Sequence, residues 1–271
     1  MARPKNGRPF SRAVFLPLVL FAHTLCHAEP NVRQRGEDWR VTELVGKAFL
    51  KDRPDRSEPS PLKVSSPIPY PQPVLLVSAK DSFLEISNSD GEFLRLGRST
   101  VAEFSKAKVR LRQGSLLKYS EREKLFALSG KEADAGIRLR KGVLMAETTG
   151  NGGLKIILLS GYGQAGTQAD GAKTLKSGQL LFVHGKPTRF GDLFDLDLPL
   201  LLKTSRLVNA FARPLPNLAR TRTSALIQEL NMKGRFEALV GDAPDNKNIQ
   251  MWTVRRKEKG RTSGKGGKPQ P

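Results

Sequence analysis

The chain has 271 residues, enough for one or two domains, and its 46 Lys and Arg against 26 Asp and Glu give a net charge of +20. It contains one cysteine and three histidines. A single cysteine excludes an internal disulfide, and so few sulfur and imidazole ligands argue against a zinc site.

Residues 1–28 are predicted to be a secretory signal peptide. An apolar stretch, residues 13–25, follows four cations, and the sequence Cys-His-Ala stands before Glu29. A basic segment, a short apolar segment and a small residue predict cleavage between Ala28 and Glu29, and therefore a periplasmic or secreted protein. The apolar stretch is shorter than the roughly 20 residues that cross a bilayer, and an uncleaved anchor is the alternative.

Cleavage at this site would remove Cys26, His23 and His27, leaving His184 as the single histidine of the mature chain. The loss of four cations lowers the net charge from +20 to +16. A cysteine nucleophile is then excluded, and any Ser–His–Asp arrangement would need His184. A lone histidine at the end of a predicted strand is more often a surface residue than a base.

Two segments are predicted to precede the main domain. In residues 29–52, Val41, Leu44 and Ala48 recur at helical spacing, which predicts one short helical or irregular segment. Residues 53–73 contain seven prolines. Such a stretch cannot form a helix or the interior of a sheet, and it predicts a stiff, extended linker.

Residues 74–190 have the pattern of an all-β domain. Short runs such as FLEIS, VRLR and IRLR alternate apolar with polar residues, and breaks that contain glycine separate them. This pattern predicts an antiparallel β-roll or sandwich-like domain of short repeated strands.

One sequence unit occurs three times, as LRQGSLL at 111–117, LRKGVLM at 139–145 and LKSGQLL at 175–181. We expect Leu111, Leu139 and Leu175 to point into a core, because side chains alternate along a strand. The shared glycine predicts a sharp turn or bulge with positive φ, as does the Asp-Gly turn. The predicted structural glycines are therefore Gly91, Gly114, Gly142 and Gly178.

The same alternation turns cations outward. Arg110 and Arg112 alternate on one predicted strand, and Arg138 and Arg140 on another. These four residues form a candidate basic face, and an ordinary solvated face is the alternative.

Gly161, Gly163 and Gly166 have the Gly-x-Gly-x-x-Gly spacing of a dinucleotide-binding loop. That motif needs a helix immediately after it and an acidic residue about 20 positions later, and neither follows here. The glycines are expected to lie between two strands, where they permit a turn or a close approach of backbones. No nucleotide and no other cofactor is expected.

Residues 191–240 predict two helices. The first has Asp197 as N-cap, and the second has Leu226 and Leu230 as core positions with Gly234 at its end. We expect both helices to pack on the sheet, with packing on a partner as the alternative. Residues 241–271 predict a basic, disordered tail that either attracts polyanions or keeps the chain soluble.

The segment SDGEFLRLGRSTVAEFSKAKVRLRQGSLLKYS, residues 89–120, resembles the FecR domain of bacterial periplasmic proteins. The similar features are an acidic-glycine turn, a leucine-rich strand with a Gly–Ser step, and a Val-x-Leu-x-x-Gly strand. The pattern continues at 158–166 and 175–179, and covers about residues 80 to 210. The central Gly–Thr step of the family is Lys141–Gly142 here. The resemblance implies a β fold in the bacterial envelope.

These observations predict a non-enzymatic FecR-like module that binds a protein, assembles or senses in the periplasm or envelope. The alternative is a polyanion-binding protein, with an envelope polymer such as lipopolysaccharide as the partner. A hydrolytic enzyme is a third possibility, since Asp192, Asp195 and Asp197 lie close together. Acidic residues are also expected at a helix start for capping. No catalytic residue, metal site or membrane span after cleavage is predicted.

Overall fold

The computed structural model describes residues 38–52 and 58–232. The predicted signal peptide with its Ala28–Glu29 cleavage site, Gly234 and the predicted basic tail lie outside the described residues. Within the described ranges the chain forms fifteen strands and three helices. The predictions of a mainly β fold and of helices after the strands are confirmed.

The strands are β1 (Arg40–Val45), β2 (Ala48–Lys51), β3 (Ser60–Pro61), β4 (Val74–Ser78), β5 (Phe83–Ser87), β6 (Phe93–Leu96), β7 (Val101–Phe104), β8 (Lys108–Gln113), β9 (Ser115–Ser120), β10 (Lys124–Ser129), β11 (Asp134–Thr148), β12 (Leu154–Thr167), β13 (Gly171–Leu175), β14 (Gln179–His184) and β15 (Arg189–Asp195). The helices are α1 (Leu198–Thr204), α2 (Arg206–Asn209) and α3 (Leu218–Met232).

The strands pair into one curled sheet in the order β1-β5-β6-β9-β11-β10-β8-β7-β4-β2-β3. Beside this path, β12 pairs with β11, β13 and β14, and β15 pairs with β14. The pairing of β8 with β10 is parallel, so the sheet is mixed. The long strand β11 pairs with β12 on one edge, and on its other edge with β10 in its first half and β9 in its second half.

Both faces of this sheet carry buried apolar side chains. On β9, Leu116 belongs to a cluster inside the curl, while Leu117 and Tyr119 belong to a cluster outside it. Successive side chains of a strand point to opposite faces, which explains the division. The predicted core leucines of the repeated unit all lie in the inner cluster, as expected: Leu111, Leu139 and Leu175. The outer cluster is closed by the helical segment, through Leu198, Leu201, Leu207 and Val208.

The prediction of a short helical or irregular segment is wrong for the described part of residues 29–52, which is residues 38–52. Residues 40–45 and 48–51 form β1 and β2, which pair with β5 and with β3 and β4. Val41 is buried opposite Ile86 of β5. The apolar spacing fits a helix locally, but pairing with strands distant in sequence overrides that preference.

The prediction of a linker at residues 53–73 is also wrong for its described part, residues 58–73. Leu62 and Ile68 are buried in the inner cluster, and β3 pairs with β2. The amide of Ile68 donates to the Trp39 carbonyl at 2.9 Å. Pro61 lies on an edge strand, where a missing N–H is tolerated. The domain therefore begins before residue 74.

The helical segment begins later than predicted, because β15 occupies residues 189–195. Asp197 caps α1 as expected, and accepts a hydrogen bond from the Leu200 amide at 2.9 Å. The first predicted helix is divided at Ser205, which has an extended backbone between α1 and α2.

Three of the four predicted structural glycines have positive φ: Gly91 at 79°, Gly114 at 89° and Gly178 at 81°. Gly142 does not, and the predicted positive φ is wrong there. In that copy of the unit the positive φ, 45°, belongs to Lys141. The reason is that β11 continues through a bulge between Arg140 and Val143, where its neighbour changes from β10 to β9.

Gly161, Gly163 and Gly166 all lie inside β12, so the prediction that they separate two strands is wrong. The expected close approach of backbones does occur, at Gly161. It has a φ of 87°, and a Cβ there would overlap Lys141 and Gly142 in the bulge of β11. The helix required after a dinucleotide-binding loop is replaced by the continuation of β12 and by β13.

We expect Gly161→Ala to lower the free energy of unfolding by about 3 kcal/mol, because steric overlap with β11 adds to backbone strain. Gly91→Ala is the matched control, since Gly91 also has positive φ but faces open space. It should cost about 1 kcal/mol from strain alone. Urea unfolding of the two variants measures the difference, and equal losses would contradict the role given to Gly161.

Candidate functional site

The position of the helical segment depends on one buried guanidinium. Arg95 on β6 is fully buried, and its Nε donates to Glu85 at 2.8 Å. One terminal nitrogen of Arg95 donates to the backbone carbonyls of Leu207, at 3.2 Å, and Val208, at 3.1 Å, both in α2. The other terminal nitrogen donates to the Arg213 carbonyl beyond α2, at 2.6 Å. The side chain thus joins the outer face of the sheet directly to the segment that leads into α3.

The surroundings of Arg95 compensate its buried charge. Its guanidinium carbon lies 4.2 Å from the centre of the Phe211 ring, a cation–π distance. The other oxygen of Glu85 accepts from the Thr42 hydroxyl at 2.7 Å. Burial lowers the pKa of Arg95, and the hydrogen bond that Arg95 donates to the Glu85 carboxylate opposes that change. An arginine nevertheless stays charged, so the network is a permanent ion pair.

Helix α3 is held on the sheet by polar contacts. The Ser160 hydroxyl oxygen lies 2.9 Å from both the Asn217 amide nitrogen and the Thr221 hydroxyl. The Gln228 side chain accepts from the Leu198 amide at 3.0 Å and donates to the Gly178 carbonyl at 3.2 Å. A Cβ at Gly178 would overlap the Gln228 amide, so glycine at this position leaves room for that amide to bond to the sheet.

The prediction that Leu226 and Leu230 are core positions is wrong. They are 57% and 65% exposed, and neighbouring Ile227 is 54% exposed. The sheet offers α3 the Ser160 hydroxyl and the Gly178 carbonyl as hydrogen-bond partners, so a polar helix face is buried there and the leucines face outward. We call Ala219, Thr223, Leu226 and Leu230 the outer stripe of α3.

The four predicted arginines are all exposed, but they do not form one cluster. β10 lies between β8, with Arg110 and Arg112, and β11, with Arg138 and Arg140. Arg138 lies opposite Leu125 of β10 and Arg110 opposite Ser129, so these two are offset by four residues. That offset is about 13 Å along the strands and about 10 Å across them.

These arginines therefore form a diagonal basic stripe, with one pair at each end. Arg112 lies 3.2 Å from Glu103, and Arg138 lies 3.7 Å from Glu123. The Arg140 guanidinium is 5.5 Å from the Tyr162 ring. Within the part of the chain that the structure describes, Arg110 and Arg140 have no carboxylate partner.

One buried charge, that of Lys118, was not predicted from the sequence. Lys118 is buried inside the curl, 3.7 Å from Glu92 and 5.4 Å from the ring centres of Trp39 and Phe126. Burial lowers the pKa of Lys118. The only sequence signal was a charge in the middle of an otherwise apolar strand.

A cleft of about 310 Å³ lies between the β5–β6 turn and residues 213–216. Its floor is the stacked pair of Phe93 and Tyr119, with ring centres 5.3 Å apart. The Tyr119 hydroxyl donates to Glu121. Burial, helped by this carboxylate, raises the pKa of Tyr119 to about 12.

The three aspartates considered for hydrolysis are spread along β15 and the start of α1. Asp192 and Asp195 are exposed, and Asp195 accepts from Gln179 at 3.2 Å. Asp197 is engaged as the cap of α1. His184 is exposed at the end of β14. Over residues 38–52 and 58–232, no group of three or more His, Cys, Asp or Glu could hold a metal ion, and no helix is long and apolar enough to span a membrane.

No family model and no curated protein matches the chain. Two crystal structures of a candidate anti-sigma factor from Parabacteroides distasonis ATCC 8503, at 1.65 and 2.50 Å resolution, are similar in structure, each with a TM-score of 0.37 and 11% identity. The similarity covers 55% of this chain and 74% of the first, and 62% of this chain and 95% of the second.

We expect Arg95→Met to lower the free energy of unfolding by about 3–5 kcal/mol, because it leaves Glu85 buried without its charge partner. Arg112→Met is the control, since it removes the exposed pair with Glu103 and should cost under about 1 kcal/mol. Urea unfolding measures both. A loss at Arg95 no greater than at Arg112 would contradict the anchoring role.

Proposed function

We propose that the chain is an exported, non-enzymatic module of the bacterial periplasm or envelope that binds a protein helix through the outer stripe of α3. The observation that carries this proposal is the exposure of Leu226, Ile227 and Leu230 on a helix whose opposite face is already attached. Export is supported by the predicted signal peptide, and the envelope by the resemblance of residues 89–120 to the FecR domain.

The exposed apolar side chains on this side of α3 favour contact with a protein over contact with water. Single exposed apolar residues are common, but Leu226 and Leu230 of the stripe, with Ile227 beside them, form a contiguous apolar strip. Burying each of these side chains would contribute about 1.5–3 kcal/mol. Its spacing of i, i+4, i+7 and i+11 is the spacing at which one helix docks along another.

The proposal that the module is non-enzymatic is supported by how few candidate catalytic side chains the predicted mature chain contains. His184 is its single imidazole and lies exposed at a strand end. Asp197, the last acid before α1, is engaged as the cap of that helix.

Protein binding predicts that a photo-crosslinking amino acid in place of Thr223 forms protein adducts in intact cells. The same amino acid at Lys80, an exposed position remote in sequence, is the control and should form few. Adding Leu226→Gln and Leu230→Gln should remove the adducts without changing urea unfolding, since both leucines are exposed. Adduct yields at Thr223 no higher than at Lys80 would contradict the proposal.

Polyanion binding is the second candidate function, and the diagonal basic stripe favours it. Two arginine pairs at opposite ends of three adjacent strands fit an elongated polymer better than a small anion. Arg110 and Arg140 remain available, since no carboxylate of the described residues compensates them.

This candidate predicts that Arg110→Gln with Arg140→Gln weakens binding of polyphosphate about fivefold, from the loss of two modest charge contacts. Lys80→Gln with Lys203→Gln is the control of equal charge, since both lysines are exposed elsewhere. Fluorescence titration at low and high salt measures affinity, and high salt should weaken binding by the wild type. Equal losses in the two double variants would show that only net charge matters.

A further inference from the structure

We infer that the protein partner of the outer stripe of α3 is a second copy of this chain, with the two α3 helices packed antiparallel across a two-fold axis. This inference rests on the proposed function, because it requires that the stripe binds protein. It adds the identity of the partner, the direction of the helices and the register between them.

The outer stripe lies on the side of α3 that faces away from the sheet, where a second helix can pack against it. Thr221, Ala225 and Gln228 are buried toward the sheet. At about 100° per residue, Ala219, Thr223 and Leu230 point almost directly away from them. The spacings of four, three and four residues along the stripe are those of successive a and d positions in paired helices. All four stripe residues are exposed, so the seam is accessible from outside the domain.

Side-chain sizes favour the antiparallel arrangement. In the register that sets Thr223 opposite Leu226 of the second copy, Ala219 lies opposite Leu230 of that copy. Each of the four layers then contains one large and one small residue, which fills the seam evenly. A parallel pair would put leucine against leucine in two layers and small residues against each other in the other two.

Charges favour the same register. Arg222 and Glu229 are both exposed beside the stripe and stand seven residues apart, at the same heptad position. They are about 10 Å apart along one helix, too far to pair with each other. In an antiparallel pair equivalent flanking positions meet, so Arg222 of each copy lies beside Glu229 of the other. A parallel pair would set Arg222 beside Ile227 instead.

The contact is short, and it predicts a weak dimer. Helix α3 has 15 residues, which is about 22 Å. Two helices of this length bury less than the roughly 1,200–2,000 Å² of a standard stable interface. We therefore expect a dissociation constant on the order of 100 μM.

Sedimentation equilibrium of the exported chain between about 10 and 500 μM tests this inference. The wild type should change from monomer to dimer across the series. Leu226→Lys with Leu230→Lys should stay monomeric, with unchanged urea unfolding. Val64→Lys with Leu193→Lys is the control for exposed apolar residues elsewhere, and it should dimerise like the wild type. A wild type that is monomeric at the highest concentration overturns the inference.

Charge reversal tests direction and register. Arg222→Glu alone and Glu229→Arg alone should each weaken self-association about tenfold, since each opposes like charges twice. A mixture of these two variants should form heterodimers at least as well as the wild type forms homodimers, because both flanking pairs are then complementary. If each variant self-associates more weakly but the mixture does not form heterodimers, the antiparallel register is overturned.

The crosslinking experiment separates this inference from the proposed function. Adducts from Thr223 to a different protein, with a monomeric wild type, would retain protein binding and exclude the second copy. Adducts of twice the chain mass that disappear with Leu226→Lys and Leu230→Lys support both. The lack of any adduct and of any dimer overturns both.

Discussion

The arrangement of the molecule depends on the burial of one charged guanidinium between the sheet and the helical segment. Arg95 can be buried there because Glu85 balances its charge and three carbonyls of residues 207–213 accept its N–H groups. Leaving a buried charge without such partners costs several kcal/mol. The segment after α1 is therefore held where those carbonyls reach β6, and this fixes the point from which α3 starts across the sheet.

The helical segment divides the outer face of the sheet into a covered half and a half that faces water. The helices cover the half around β9 and β14, where Leu117, Tyr119 and Leu180 need an apolar cover. The half formed by β8, β10 and the start of β11 stays in water, and its outward positions carry the basic stripe. The bulge of β11 lies between the halves, because the strand changes neighbours there.

What the sequence predicted depends on how local each feature is. The outward arginines and inward leucines of the repeated unit follow from alternation along a strand, which needs no knowledge of the fold. The buried face of α3 does not, since it is decided by Ser160 and Gly178, more than forty residues earlier. The strand structure of β1 does not follow from its own sequence either, because the strand that it pairs with, β5, is distant in sequence. The bulge that moves positive φ from Gly142 to Lys141 likewise arises from a change of neighbouring strands.

Charges in the middle of apolar strands specify the register of the central sheet. In the observed register Leu94 of β6 pairs with Lys118 of β9, and Arg95 pairs with Leu117. A slip of β6 by one residue would turn Arg95 into the inner cluster, away from the carbonyls that it binds. A slip of β9 would remove Lys118 from Glu92 in the same way. Apolar residues alone would tolerate either slip, because both faces are apolar. Two buried ion pairs on opposite faces therefore select one register, and with it the single placement of α3 that exposes its outer stripe.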